Sequence, residues 1–365
     1  MTKQADVIND PKYVPVLDHG FVGLIDHMGS DYAVVQAART SYGDGTKSVS
    51  EDRGLLRYLM RAHHTSPFEM CEVKLHIKLP IFIARQLIRH RTASLNEYSG
   101  RYSVMTDEFY MPEPDYIAPQ SKDNKQGRSG DLSDEDKTGV RWMIEQANRT
   151  SYDIYKALLG DRGENKRDVW CDPYDPADPL LSDDFGGIAR ELARTILPTG
   201  NYTELYWKQD LHNLFHLLRL RMDPHAQREI RDVANAIYDL IQPLFPESVQ
   251  AFEDYIRQAT HNSRMETSLL KALLACPSAP KVWWTDALLE AGSDKAFADK
   301  YEMSPRELRE FATQWGLPAY GELTKSMAAA SKRLEEEILP KAVELLVNTA
   351  PQTPPVQIGK TKKKK

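Results

Sequence analysis

The sequence predicts a mixed α/β chain followed by an all-helical extension, and three observations predict it. Residues 71–79 alternate strictly, with Cys71, Val73, Leu75, Ile77 and Leu79 set against Glu72, Lys74, His76 and Lys78, the period-two pattern of a strand with one apolar face. Other stretches repeat apolar residues every three to four positions over runs long enough for helices. Beyond about residue 260 only the helical pattern remains. A 365-residue chain with 41% hydrophobic and 27% charged residues can bury a large core.

Each element has its own signal. Residues 1–12 are a polar lead-in. Residues 14–28 read as strand, turn and strand, with Val14, Val16 and Leu17 before Gly20 and Phe21, Val22, Leu24 and Ile25 after it. Ser30 or Asp31 caps a helix carrying Val34, Val35 and Ala38, and residues 43–47 form a glycine-containing loop. Ser50, Glu51 and Asp52 open a second helix with the stripe Leu55, Leu56, Leu59 and Met60. That helix runs into His63-His64-Thr65-Ser66-Pro67-Phe68-Glu69, a structural turn or ligand-contacting loop whose spacing fits no metal site.

After the strand at 71–79, Pro80 suits the first position of a helix through Ile81, Phe82, Ala84, Leu87 and Ile88, on which Gln86 and Arg89 are neighbours. A short strand is expected to about residue 110. Residues 112–135 and 160–183 lack periodicity and are irregular inserts on either side of a helix at 134–159. Helices are then expected at 184–197, 204–222, 224–242 and 247–257. The helix at 204–222 would carry Leu205, Leu211, Leu214, Phe215 and Leu218, with His212, His216, Arg219 and Arg221 among them. Further helices are expected at 264–275, 283–291, 304–315 and 323–347, ending in a solvated lysine-rich tail.

Composition narrows the function. A formal charge of −6 argues against broad nucleic-acid binding while leaving room for a local basic pocket. Three scattered cysteines, Cys71, Cys171 and Cys276, make neither a disulfide framework nor a zinc site, and they point to a reducing cytoplasm. The start shows no signal-peptide pattern, and no apolar run reaches membrane length.

The chemistry concentrates in Arg89-His90-Arg91-Thr92-Ala93-Ser94-Leu95-Asn96-Glu97-Tyr98-Ser99-Gly100-Arg101. Arginine stays charged and pairs bidentately with phosphate or carboxylate. Ser94, Asn96, Glu97 and Ser99 add partners for a sugar or a base edge. Such a stretch reads as an anion pocket for a nucleotide; the bland reading is a solvated basic loop. Gln86, Arg194 and Arg221 supply further donors. His212 and His216 have the i, i+4 spacing of a helical metal pair but no third ligand, and no cysteine has a base to activate it. A donor-built site with few proton-transfer groups takes its redox or carbon chemistry from a cofactor. Spacing leads no further than a nucleotide or phosphorylated substrate.

Residues 89–101 match the R-H-R-x-x-S-x-N-x-x-S-x-R signature of the flavin-dependent thymidylate synthases at every fixed position, and Tyr102 matches as well. Ala37-Ala38-Arg39-Thr40-Ser41, the blocks at 64–69, 80–86 and 193–198, and Leu220-Arg221-Met222-Asp223-Pro224-His225-Ala226-Gln227-Arg228-Glu229-Ile230-Arg231 resemble the family too. The resemblance covers about residues 14–257. It implies a catalytic domain over 1–260, an α/β fold with a central mixed or antiparallel sheet and long helices, and leaves 261–365 as an extension of unassigned role.

The resemblance further implies conversion of dUMP to dTMP, with 5,10-methylenetetrahydrofolate as carbon donor and FAD, reduced by NADPH, as hydride donor. No cysteine nucleophile is needed. By motif, Gln86, Arg89, Glu97, Ser99, Gly100, Arg101, Arg194 and Arg221 would hold dUMP, with Arg221 catalytic beside the uracil. Ser66 from another subunit, Arg89, His90, Arg91, Glu97, Asp210, Leu211, His212 and His216 would contact FAD. Some relatives carry asparagine at the positions of Asp210 and His216. The implied assembly is a cytoplasmic homotetramer with active sites where subunits meet, and neither nucleic acid nor membrane as partner. The alternative is a non-catalytic nucleotide- or RNA-binding protein using the same arginines.

Overall fold

A computed structural model describes residues 1–40, 49–122, 125–161, 184–275, 280–301 and 305–341. The chain divides into two compact units, 1–259 and 260–365. The glycine loop at 43–47, Cys171, Cys276 and the lysine-rich tail lie outside the described residues.

In the first unit, α1 (Gln4–Val7), β1 (Tyr13–Val16) and β2 (Gly20–Met28) precede the helices α2 (Asp31–Thr40) and α3 (Val49–Arg61). Then come β3 (Glu72–Pro80), α4 (Ile81–Leu87), β4 (Ser94–Glu97), α5 (Asp134–Leu158), α6 (Arg190–Ala193), β5 (Tyr202–Asp210), α7 (Leu211–Arg221), α8 (Arg228–Ile241) and α9 (Pro246–Phe252). The five strands form one antiparallel sheet in the order β1-β2-β3-β5-β4.

The alternation of β3 explains the layering. Val73, Leu75, Ile77 and Leu79 are buried on the face covered by helices, in one core with Leu56 of α3, Leu214 and Leu218 of α7, and Val233 and Ile237 of α8. Phe215 and Phe252 stack there at 4.7 Å. The polar face of β3 is covered too at its second half, where His76 and Lys78 are buried. Fully buried Lys78 donates from Nζ to Glu108 Oε2 (2.8 Å) and to the Thr2 carbonyl (2.7 Å). His76 meets Glu204 at 2.6 Å. A buried cation of this kind is tolerable only when its donors are matched.

Three expected elements come out differently. The helix expected at 204–222 is β5 joined directly to α7. Leu205, Trp207 and Gln209 are buried and alternate with Glu204, Tyr206 and Lys208, so the first half of that run has period two. Asp210 ends the strand and caps α7 by accepting from the Asn213 N–H (2.9 Å). The helix expected at 184–197 shrinks to α6 and the tight turn Arg194–Ile196. Gly187 lies at φ 94°, and a Cβ there would come within 2.5 Å of the Leu159 backbone. In place of a strand running to residue 110 there is one isolated bridge, Phe109↔Asn201.

The second unit holds α10 (Arg264–Ala275), α11 (Pro280–Ala291), α12 (Asp294–Lys300), α13 (Pro305–Gln314) and α14 (Tyr320–Arg333). Their core is aromatic, built on Trp284, Phe297 and Phe311, with the Trp284 indole donating to the Pro318 carbonyl (2.9 Å). α12, capped by Ser293, has too few apolar positions to stand out in the sequence.

Candidate active site

The arginine-rich stretch is not one loop. Arg89 leaves the end of α4, His90 turns inward and is buried, and Ser94–Glu97 is the edge strand β4. β4 pairs antiparallel with β5, placing Ser94 opposite Lys208 and Glu97 opposite Leu205. Pairing fixes the stretch from both sides: Gln209 donates from Nε2 to the Thr92 carbonyl (3.1 Å), and the Tyr98 N–H donates to the Glu204 carbonyl (2.8 Å). All four residues of β4 are exposed, so their side chains are held by the backbone and left open.

Three groups of expected residues come together around it. At the turn after β4, a Cβ on Gly100 would lie 3.0 Å from Met105 Sδ and 3.2 Å from Arg194 Cδ, so a bare glycine lets the Arg194 stem pack against the turn. The Arg101 N–H donates to Ser99 Oγ (3.3 Å), and the Arg101 guanidinium meets Glu191 at 3.3 Å. Glu97 Oε1 accepts from the Thr203 hydroxyl (2.7 Å). On α4, Gln86 Nε2 donates to Gln227 Oε1 (2.6 Å), which joins the helix end to the start of α8.

The second group is His90, Arg221 and His216. Arg221, the last residue of α7, donates from Nε to His90 Nε2 (3.0 Å). A guanidinium can only donate, so His90 Nε2 carries no proton. Burial, Arg221 and then His216 push the His90 pKa down to about 4, which keeps the ring neutral near pH 7. Burial also lowers the pKa of Arg221. The ring of His216 stands 5.9 Å from that of His90, edge to face.

The third group is a cleft beside α7. His63, His64, Thr65 and Phe68 line one wall; His212, Phe215, His216 and Arg219 line the other. Its floor is apolar and its rim carries imidazoles and a guanidinium. Ser66 is exposed in the turn that forms the first wall. Two expected contacts are engaged elsewhere within the chain. Both carboxylate oxygens of Asp210 accept from Asn213, and Leu211 is fully buried in the core with its N–H donating to the Cys71 carbonyl. Cys71 is buried, its pKa raised to about 11 mainly by desolvation, so it is no nucleophile.

Sequence reasoning missed Glu191, gave no role to Gln227 or Arg219, and took His63 no further than a structural turn or ligand-contacting loop. Glu191 and Gln227 sit in the resembling blocks or next to them, but only folding reveals their partners. Charge is unevenly matched here. Among the described residues, Arg89, Arg91 and Arg194 form no ion pair, and no group of histidine, cysteine and carboxylates is arranged to hold a metal. An arrangement of exposed cations, a neutral histidine holding Arg221, and an apolar-floored cleft suits an anionic, partly aromatic ligand.

Residues 23–247 match the family described as "Thymidylate synthase complementing protein". The flavin-dependent thymidylate synthase of Ruegeria pomeroyi is 50% identical over 261 residues, covering 72% of this chain and 80% of that one. The enzyme of the same name from Rickettsia bellii is 48% identical over 271 residues, 74% and 87% of the two chains. Among solved structures, the UMP/dUMP methylase PolB of Streptomyces cacaoi bound with 5-Br dUMP is similar at a TM-score of 0.55 and 32% identity, covering 67% of this chain and 99% of that one. On the match over residues 23–247 and the identity to these relatives, the chain belongs to the flavin-dependent thymidylate synthase family.

Proposed function

We propose that this chain makes dTMP from dUMP in the cytoplasm, as a homotetramer, with 5,10-methylenetetrahydrofolate giving the carbon. The observation that carries the reading is the set of guanidinium groups without carboxylate partners among the described residues, Arg89, Arg91 and Arg194, standing with Arg221 on the elements around β4. Fixed cations of this kind call for an anion.

Arg89, Arg101 and Arg194, with Ser99 and the backbone at Gly100, bind the phosphate. Arg221 lies beside the uracil and stabilises negative charge on the ring, which raises electron density at the carbon to be alkylated. Its partner suits that role. A carboxylate would orient Arg221 but cancel part of its field, whereas the neutral His90 orients it and leaves the charge whole.

The donor set also fits FAD. Phe68 and Phe215 give the cleft an apolar floor for a flat ring system and His212 and His216 give it polar edges, while Arg89, His90, Arg91 and Glu97 are proposed to contact the rest of the cofactor from the neighbouring signature stretch. When bound and reduced by NADPH, the flavin supplies the hydride. Ser66 completes the proposed FAD contacts, reaching from a neighbouring subunit, while Asp210 and Leu211, engaged within the chain, place the start of α7 and its histidines. Exposed apolar side chains on and beside the signature, Ile88, Leu95, Tyr102 and Tyr206, support a partner covering this edge.

Residues 1–260 form the catalytic part in this reading and residues 261–365 an appendage. A non-catalytic binding module is disfavoured by family membership. The deciding measurement is tritium release from dUMP labelled on the ring, with NADPH and the folate present. Release that depends on added FAD is expected; equal release without FAD, or none with it, would reject the reading.

A further inference from the structure

Helix α5, which lies between the two inserts, grips the segment that follows the signature through both backbone groups of one residue. The Met105 N–H donates to the Tyr155 hydroxyl (3.0 Å), and the Met105 carbonyl accepts from the Tyr152 hydroxyl (3.1 Å). Tyr155 is fully buried, and Met105 is only 6% exposed. The two tyrosines lie at i and i+3 on α5, so one face of the helix carries both hydroxyls. The neighbouring backbone is tied as well. Tyr98, inside the signature, donates from its hydroxyl to the Val104 carbonyl (2.8 Å). Asn201, just before β5, donates from Nδ2 to the carbonyls of Thr106 and Glu108, both at 3.0 Å.

The side chain of Met105 carries this anchoring to the candidate site. Its sulfur fills the space beside Gly100 that a Cβ would need, next to the Arg194 stem. Met105, Tyr155 and Ala193 are buried in one apolar cluster, with Tyr98, Tyr152 and Leu197 packed against it. The cluster borders two turns: Met105 reaches the one carrying Gly100, and Ala193 and Leu197 flank the one carrying Arg194. A buried N–H that loses its acceptor must move or find another, so the tyrosine hydroxyls fix where Met105 sits.

We propose that Tyr155 and Tyr152 are positioning residues: by clamping Met105 they set the spacing between the Gly100 turn and Arg194, and with it the phosphate pocket. The proposal rests on the reading of Ser99, Gly100, Arg101 and Arg194 as phosphate contacts of dUMP. It gives α5 a part in substrate binding, although neither tyrosine belongs to the blocks that resemble the family.

The test is calorimetric titration of the full-length FAD-loaded protein with dUMP, together with kcat at saturating dUMP. The variants are Tyr155→Phe, Tyr152→Phe and Met105→Ala, each alone and combined with Arg194→Ala. Each single variant is expected to weaken dUMP binding roughly fivefold, the scale of one hydrogen bond, with kcat and flavin absorbance unchanged. In the Arg194→Ala background none should add a further loss, because the spacing to Arg194 no longer matters. Met105→Leu, which keeps the bulk, should stay within about twofold of the wild-type affinity. Tyr152 is only half-buried, so its variant keeps the test available if Tyr155→Phe fails to fold.

Losses that multiply with Arg194→Ala, a kcat or flavin content that falls along with the affinity, or wild-type affinity in both phenylalanine variants would overturn the clamp while leaving Arg194 as a phosphate contact. An Arg194→Ala protein with unchanged dUMP affinity would overturn that contact itself, and the clamp with it.

Discussion

A histidine held neutral near pH 7 leaves a signature in solution. His90 is expected to titrate near 4 when folded and near 6.5 when unfolded. The unfolded chain therefore binds this proton at higher pH, so the contribution of His90 to stability is whole above about pH 6.5 and is lost as pH falls toward 4. Between pH 7 and pH 5 the loss should be on the order of 2 kcal/mol, and His90→Gln should remove it. Urea unfolding of both proteins at the two pH values checks this; equal losses would mean that His90 is not the group responsible. Arg221→Ala should keep its flavin yet slow dTMP formation by roughly 3–4 kcal/mol of barrier, since a charge aimed at the reacting ring is removed. Near-normal turnover would remove Arg221 from the chemistry. Arg101→Ala should weaken dUMP binding and spare FAD, readable by isothermal titration of each ligand. At this scale the sequence was informative about identity and silent about pairing: His90 and Arg221 lie far apart in the chain, and nothing in their spacing announces a hydrogen bond.

At the scale of elements, strands and helices with a clean period were legible and those that change period were not. β3 alternates over its whole length, and β1, β2 and α4 have glycine or proline punctuation at their ends. β5 was hidden because its buried residues Leu205 and Trp207 run without a break into Leu211, Leu214 and Phe215 of α7, and a helical stripe can be drawn through both. The one marker was Asp210, a capping residue inside an apparent helix. β4 was hidden for another reason. Its four residues are exposed and mostly polar, so no burial pattern betrays a strand that exists by backbone pairing with β5. Asp210→Ala tests the junction. Losing the cap should cost about 1 kcal/mol of unfolding free energy. If flavin affinity falls much further than stability does, Asp210 also serves the cofactor directly.

For the molecule as a whole, the two compact units invite a separation experiment. A chain ending at Ala259 is expected to fold and to keep dTMP synthesis within about twofold of the full-length rate, because the residues resembling the family and the core around β3 all lie before that point. Thermal melting and activity of the shortened chain check it; loss of both would make the helical part structural. One contact at the other end reaches the middle of the sheet. Thr2 offers its carbonyl to Lys78 on the central strand, and its N–H and hydroxyl to Glu204 on the strand alongside. Those few residues act as a clasp on two charges held away from bulk water: without Thr2, Lys78 keeps Glu108 and Glu204 keeps His76, but the ammonium loses one acceptor and the carboxylate two donors.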